Sequence, residues 1–263
     1  KVSHGIDANF DQTQKIHWLR YDLDNIPADT EFPDADIIYY FAPPPKTGQK
    51  DTRLAGFLSF LASSSSKSSL EKLILISTSA VYGDCHGEWV TEKSATAPTL
   101  NRGKRRLDAE CTATNWCRQH AKTLVILRVP GIYGPGRLPL ERLKKGLPVL
   151  QLSAAPYTNR IHAEDLAQIC VRAADQGIEG IFNVCDGEPG NMSQYFFAVA
   201  DACGLPRPEE VDLEQAQQQL SAGMLSYLSE SRRMDNRKLL QHMDYQFLYP
   251  NLAAGLKDCV TEK

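Results

Sequence analysis

The sequence predicts an α/β protein built on a doubly wound parallel sheet. Three observations carry that prediction. Runs such as "KLILISTSAVYG" (72–83) and "TLVILRVPGIYGPG" (123–136) begin with continuous apolar residues, as strands covered on both faces do. The segments between such runs carry apolar residues at helical spacing. The runs stop at proline- or glycine-rich turns, Pro43-Pro44-Pro45 and "GIYGPG" among them.

The elements follow in order. "KIHWLRYDL" (15–23) reads as a strand, and "ADIIYYFAP" (35–43) as a second. "DTRLAGFLSFLASS" is a helix with Leu54, Phe57, Leu58 and Leu61 on one face. It runs into the polar loop "SSSSKSS". The third strand is 72–83, and residues 104–119 form a helix with Leu107, Cys111 and Thr114 inward. The fourth strand is 123–136. "HAEDLAQICVRAAD" is a helix with Leu166, Ile169, Cys170 and Ala173 inward. "GIFNVCD" is the fifth strand. A helix (193–203), a polar Gln-rich segment (214–221) and a short C-terminal helix complete the chain.

Such sheets bind ligands beyond the carboxyl ends of their strands. Those ends are the loops after Ala42, Ile76, Val129 and Val184. Residues 1–263 read as one domain, to which 137–160 and 185–263 contribute a small lobe over that edge.

Composition narrows the function classes. Twenty-nine basic and 32 acidic residues give a net charge of −3, which is not the profile of a nucleic-acid binder. No apolar run approaches the roughly 18 residues of a membrane span, and no signal peptide opens the chain. Seven scattered cysteines without a Cys-x-x-Cys argue against zinc and disulfide frameworks and for reduced thiols in a cytoplasm.

Five stretches, "LILISTSAVYGD", "LRVPGIYGPGR", "NRIHAEDLA", "FNVCDGEP" and "RRMDNRKLLQHMDYQFLYPNLAAGL", occur in the order found in the extended short-chain dehydrogenases/reductases. The chain resembles the NAD-dependent epimerase/dehydratase group of that family, which acts on nucleotide sugars, from about residue 15 to its end. The resemblance implies a Rossmann-type domain with a small C-terminal substrate lobe, NAD or NADP as cofactor, and a small-molecule substrate. It leaves the oligomeric state open, a homodimer being one arrangement.

Two departures stand out. The family opens with a strand, a Gly-x-x-Gly-x-x-Gly turn and a helix whose N–H groups face the cofactor pyrophosphate. None of the 17 glycines forms that triplet. Gly131, Gly134 and Gly136 come nearest, but Pro135 and Pro139 favour a loop over a helix start. The first strand and helix of that fold are therefore missing from this chain, and truncation is the favoured expectation, because a sheet without its central strand exposes apolar faces.

The second departure is "NRGKRRLDAE" (101–110). The family places Tyr-x-x-x-Lys on a helix shortly before an Ala-Glu pair. That register puts Arg102 at the tyrosine and Arg106 at the lysine; sliding by one gives Asn101 and Arg105. None of the ten tyrosines has a lysine four residues on, and Tyr133 with Arg137 comes nearest. In the family the tyrosinate moves a hydroxyl proton while hydride passes to or from the nicotinamide. Arginine cannot replace it, because the guanidinium stays protonated and accepts nothing. The cations at 102–106 are either a solvated helix start or contacts to an anion, and Arg106 is a candidate cofactor contact.

The remaining candidates come from the resemblance. Thr78 falls at the family's active-site Ser/Thr and Tyr82 at the tyrosine facing substrate; both are the catalytic candidates, with a bound water to carry the proton. Equally, Thr78 caps its own loop and Tyr82 is a packed aromatic. Asp22 matches the acidic adenine contact, or is a turn residue. Ala42, Pro43 and Ser77 match backbone or polar cofactor contacts, and Pro130 and Gly131 the loop beside the nicotinamide. Arg137 and Arg160 match substrate contacts, their forked donors suiting phosphate. His162, Glu164 and Asp165 read as a packed histidine and a helix start rather than a metal cluster, so no metal is expected.

The expected function is an atypical NAD(P)-binding epimerase/dehydratase-like protein that acts on or binds a sugar-like or nucleotide-sugar ligand. Loss of the Tyr/Lys pair keeps a second reading open, a non-catalytic NAD(P)-binding sensor or regulatory protein.

Overall fold

The computed structural model describes residues 18–27, 30–63 and 69–261. In chain order the first elements are β1 (Ile37–Tyr40), α1 (Thr52–Ser63), β2 (Lys72–Thr78), β3 (Trp89–Val90), α2 (Asn101–Gln119), β4 (Thr123–Val129) and β5 (Gly131–Tyr133). Then come α3 (Leu140–Lys144), β6 (Val149–Leu150), β7 (Tyr157–Thr158), β8 (Arg160–His162), α4 (Ala163–Arg172), β9 (Gly180–Asn183), β10 (Gly190–Asn191) and α5 (Met192–Ala202). The chain closes with β11 (Glu210–Val211), α6 (Leu213–Gln219), α7 (Ala222–Leu228), β12 (Arg233–Met234), α8 (Arg237–Met243) and α9 (Leu252–Thr261).

The main sheet has the order β1-β2-β4-β9, and every pair in it is parallel. Its side chains alternate between two apolar clusters. Leu73, Leu75 and Ile126 pack with Leu54, Phe57, Leu58 and Leu61 of α1 and Ala109, Ala113 and Trp116 of α2. Ile74, Val125, Leu127 and Phe182 pack with Leu166, Ile169 and Cys170 of α4 and Leu239 and Met243 of α8. Both faces are therefore covered, which is why these strands read as continuous apolar runs. Two smaller clusters, one around Val149, Phe196, Val199 and Leu256 and one around Leu150, Val211, Ala216 and Leu220, lie in the later third. Helix α8 belongs to the sheet instead, although it falls within the 185–263 expected in the lobe.

Two expectations are corrected. The strand expected at 15–23 does not form over its described part, residues 18–23; residues 15–17 lie outside the described residues. Trp18 and Leu19 are 73% and 54% exposed. Side chains rather than a backbone ladder hold this segment: Asp24 takes Nε and Nη2 of Arg53 at 2.8 and 2.5 Å, and Leu23 and Ile26 pack against the α1 cluster. The inward face of α2 is also different. Gly103, Ala109, Glu110, Ala113, Trp116 and Cys117 are buried, while Cys111 and Thr114 are exposed and Leu107 is half-buried. The stripe was masked by Glu110, a buried carboxylate paired with Arg128 of β4. The Gln-rich segment, for which the sequence names no element, is helical over Leu213–Gln219. Asp212 and Gln215 form a reciprocal cap at the start of α6.

Candidate functional site

β2 and β4 end level with each other, with Thr78 opposite Val129. Beyond these ends lies a cleft of about 600 Å³, within the range of small-molecule sites. Its floor is Ile76 to Ala80 and Val129 to Ile132; α2 forms one wall, and β7, β8, α5 and α7 the others. Five arginines line it (102, 105, 106, 160 and 232), with Glu230 as the one carboxylate among the described lining residues. A concave wall of guanidiniums focuses positive potential and favours anionic ligands.

At the floor, Thr78 Oγ1 accepts the Ala80 N–H at 3.3 Å, capping the turn Ser79–Tyr82. This is the capping contact expected of Thr78, and an accepting hydroxyl keeps its own proton to donate. Ser77 lines the cleft, but its Oγ donates to Glu110 Oε1 at 2.5 Å. Glu110 also takes Arg128 Nε and Nη2 at 3.1 and 2.7 Å. The Arg128 guanidinium lies 4.8 Å from the Tyr82 ring centroid. Tyr82 is 1% exposed and donates to Asn183 Oδ1 at 2.7 Å. Burial pushes its phenol above the usual range despite the cation beside it. Tyr82 is thus a packed network residue outside the cleft lining.

The start of α2 sits against the floor because Gly103 has no side chain. A Cβ there would lie 2.5 Å from the Ala80 carbonyl oxygen. The cations flanking it are not a solvated face. Arg102 donates to Ser226 Oγ (2.6 Å), Ser226 O (2.9 Å) and Glu230 Oε2 (2.7 Å), and stacks on Tyr227 at 4.2 Å. Arg105 donates to Gly48 O, and Arg106 to Ala42 O at 3.4 Å. Burial pulls the Arg106 pKa down, with Asp51 opposing.

On the opposite wall, Arg160 is half-buried and stacks on Tyr195 at 4.1 Å. Gly131 makes room for it, since a Cβ there would lie 2.6 Å from Arg160 Nη1. Asp186 faces it from below the lining; burial drives this carboxyl up to about 7, against the opposing pull of the Glu188 N–H and Arg160. Arg137 is exposed in the loop after β5 and does not line the cleft.

The cleft brings together Ser77, Thr78, Arg106, Pro130, Gly131 and Arg160. It leaves out Tyr82, Asp22, Ala42, Pro43 and Arg137. Asp22 is exposed, and its Oδ1 accepts the Asp24 N–H at 3.0 Å, as a turn residue does. The carbonyls of Ala42 and Pro43 are taken by Arg106 and Arg53, so the β1 loop reaches the cleft at Pro44. His162 caps α4 from its Nδ1 at 3.3 Å, and Asp165 accepts from Tyr245, Leu248 and Tyr249. Sequence reasoning missed Arg232, Glu230 and Tyr195. Arg232 stands in the "RRMDN" run, the one signal that could have marked it.

A parallel sheet with a ligand-sized cleft beyond its strand ends defines a Rossmann-type binding protein. The sequence model of the NAD dependent epimerase/dehydratase family matches residues 6–185, and the chain belongs to that family. It is similar to human dTDP-D-glucose 4,6-dehydratase, 27% identical over 133 residues that make 47% of this chain and 38% of that protein. The chain thus spans well under half of that relative. A functionally unknown conserved protein from Silicibacter pomeroyi DSS is 30% identical, with a TM-score of 0.76 over 89% of this chain and 81% of that one. UDP-glucuronic acid 4-epimerase from Bacillus cereus, solved with UDP-glucuronic acid and NAD, shares the fold at 21% identity, with a TM-score of 0.71 over 91% and 79%. No helix among the described residues is long and apolar enough to cross a membrane, and no disulfide joins cysteines among the described residues.

Proposed function

We propose that the chain is an atypical epimerase/dehydratase-type protein that binds NAD or NADP together with a sugar-like ligand carrying phosphate, such as a nucleotide sugar. The observation that carries this reading is the arginine-lined cleft at the ends of β2 and β4. The donor set fits the nicotinamide-ribose and phosphate end of such a cofactor: Thr78, Arg106, Pro130 and Gly131 converge there. It does not extend to the adenine end, where Asp22 stays in its turn. A bound nicotinamide would supply a hydride donor or acceptor.

The chain's own part is binding and orientation. Thr78 donates its hydroxyl proton to a ligand oxygen. Arg160 and Arg106 hold anionic oxygens, charge-assisted contacts being stronger than neutral ones. Arg102 cannot take a proton, and the Tyr82 phenol is committed to Asn183. Positioned acid–base catalysis supplies a factor of about 10²–10⁴, so turnover without a tyrosinate is slow by that order.

The test is a titration of the full chain with NADH, followed by nicotinamide fluorescence, and then an assay of UDP-glucose conversion in the presence of NAD, read by chromatography of the nucleotide sugars because an epimerase or dehydratase returns the hydride and leaves no net NADH. Saturable binding with slow turnover supports the proposal. Binding without any turnover favours the sensor reading, and absence of nicotinamide binding overturns both.

A further inference from the structure

We infer that the unpaired carboxylate oxygen of Glu230 receives a hydroxyl of the ligand's sugar, so that the cleft selects a sugar-bearing phosphate ligand over the bare nucleoside diphosphate. This rests on the reading of the cleft given above. Glu230 follows α7 and lines the cleft, with a side chain 1% exposed. Its two oxygens are used very unequally. Oε2 takes Arg102 Nη2 at 2.7 Å and Arg232 Nη1 and Nη2 at 3.3 and 3.2 Å. Oε1 has no partner among the described protein atoms.

A carboxylate has lone pairs on both oxygens, and a buried one without a donor bears its full desolvation cost. Two guanidiniums on Oε2 fix the carboxylate's orientation, so its free oxygen is a preorganised acceptor rather than a mobile one. A phosphate cannot satisfy it, because like charges repel. A hydroxyl can, and so can an amine.

The charges also set the ligand's polarity. Arg105, Arg106 and Arg160 line the cleft and form no ion pair among the described residues, so they are open to an anion. Arg102 and Arg232 are already neutralised in part by Glu230. The anionic part of the ligand therefore lies toward the first three arginines and its uncharged hydroxylated part toward Glu230. The carboxylate sits beside Arg102, where the resemblance expects the tyrosine. A hydrogen-bonding group for the sugar is thus present at that corner, carried by the residue after α7 instead of by α2.

The experiment is calorimetric titration of the full chain with UDP, UDP-glucose and the four monodeoxyfluoro UDP-glucoses, since fluorine cannot donate. Wild type is expected to bind UDP-glucose about tenfold more tightly than UDP, and one fluoro analogue to lose about tenfold. In Glu230→Gln, which keeps the shape and one carbonyl for both arginines, that loss shrinks to within about twofold, because the charged acceptor is gone. UDP affinity rises in the variant, because Arg102 and Arg232 lose the carboxylate that neutralises them in part, so the comparison is the ratio of analogue to UDP-glucose within each protein. If UDP-glucose binds wild type no better than UDP, or no fluoro analogue loses affinity, the inference fails on the wild-type arm alone, whatever the variant's stability. Equal losses in wild type and Glu230→Gln also overturn it. Failure of UDP itself to bind overturns instead the anion-site reading beneath it.

Discussion

Arg102 Nη2 donates to Glu230 Oε2 at 2.7 Å, joining the first turn of α2 to the segment after α7. The arginine at the family's tyrosine position is therefore a tie between the sheet domain and the elements that roof the cleft. Helix α7 has no fully buried residue; Met224, Leu225 and Leu228 pack partly buried on the clusters of the later third, and this tie and the Tyr227 stack join the helix to α2.

Arg102→Ala leaves Glu230 buried with Arg232 alone. The expected loss is about 1–3 kcal/mol, read as a lower urea midpoint at unchanged slope. Arg102→Tyr/Arg106→Lys restores the family's spacing but removes the same tie, so it loses stability and gains no conversion of UDP-glucose. A gain would show a dormant tyrosinate site.

Glu110 and Arg128 have side chains only 5% and 4% exposed. Glu110→Ala strands a buried guanidinium and costs about 3–5 kcal/mol. Replacing both, as Glu110→Leu/Arg128→Met, recovers most of that, since the net worth of a buried pair over apolar packing is small. Chemical denaturation of the single and double variants checks it; equal losses in both would refute the pairing.

Gly103 and Gly56 both lie in helices, and their environments decide the sign of a change to alanine. Alanine gains about 1 kcal/mol of helix propensity over glycine. At Gly56 nothing lies within 4 Å of a new Cβ, so Gly56→Ala stabilises. At Gly103 the Cβ meets the Ala80 carbonyl at 2.5 Å and Pro98 Cβ at 2.7 Å, and overpacking costs about 1–3 kcal/mol. Thermal melts should move in opposite directions, and Gly103→Ala should also weaken ligand binding by displacing the α2 wall.

Much of the fold was legible, and the reason is periodicity. Leu54, Phe57, Leu58 and Leu61 declare a helix face, and the unbroken run through Leu73, Ile74 and Leu75 declares a strand covered on both sides. Thr78, Pro130, Gly131 and Arg160 reach the cleft because strand ends are set by topology. Glu110 hid the face of α2 because burial of a carboxylate depends on Arg128, 18 residues away. The alternatives for Tyr82 and Arg102 stay open in the sequence for the same reason: their partners, Asn183 and Glu230, are 101 and 128 residues distant. Trp18 and Leu19 look like strand residues, but no ladder partner meets them among the described residues.

Asp186 makes the account pH-dependent. An unfolded aspartate ionises near ~4, whereas in the fold burial holds this carboxyl up to about 7. The folded state favours the protonated form, so the stability it contributes is present in acid and is lost as the pH rises through the folded value. Asp186→Asn should flatten that fall between about pH 4 and pH 7. In wild type, protonation also removes the negative charge facing Arg160, while Glu188, Asp165 and Tyr133 remain around it. Binding of UDP-glucose, whose diphosphate charge is constant there, should tighten as pH falls below 7 in wild type and stay level in Asp186→Asn.

Two arginines matched substrate contacts by sequence, and the structure separates them: Arg160 lines the cleft, while Arg137 is exposed beyond it. Calorimetric titration of UDP-glucose into wild type, Arg160→Gln and Arg137→Gln tests the central claim most directly. The account predicts a loss of about tenfold or more for Arg160→Gln, as for a charge-assisted contact, and a change within about twofold for Arg137→Gln. Equal affinities for wild type and Arg160→Gln, or a loss confined to Arg137→Gln, would contradict it.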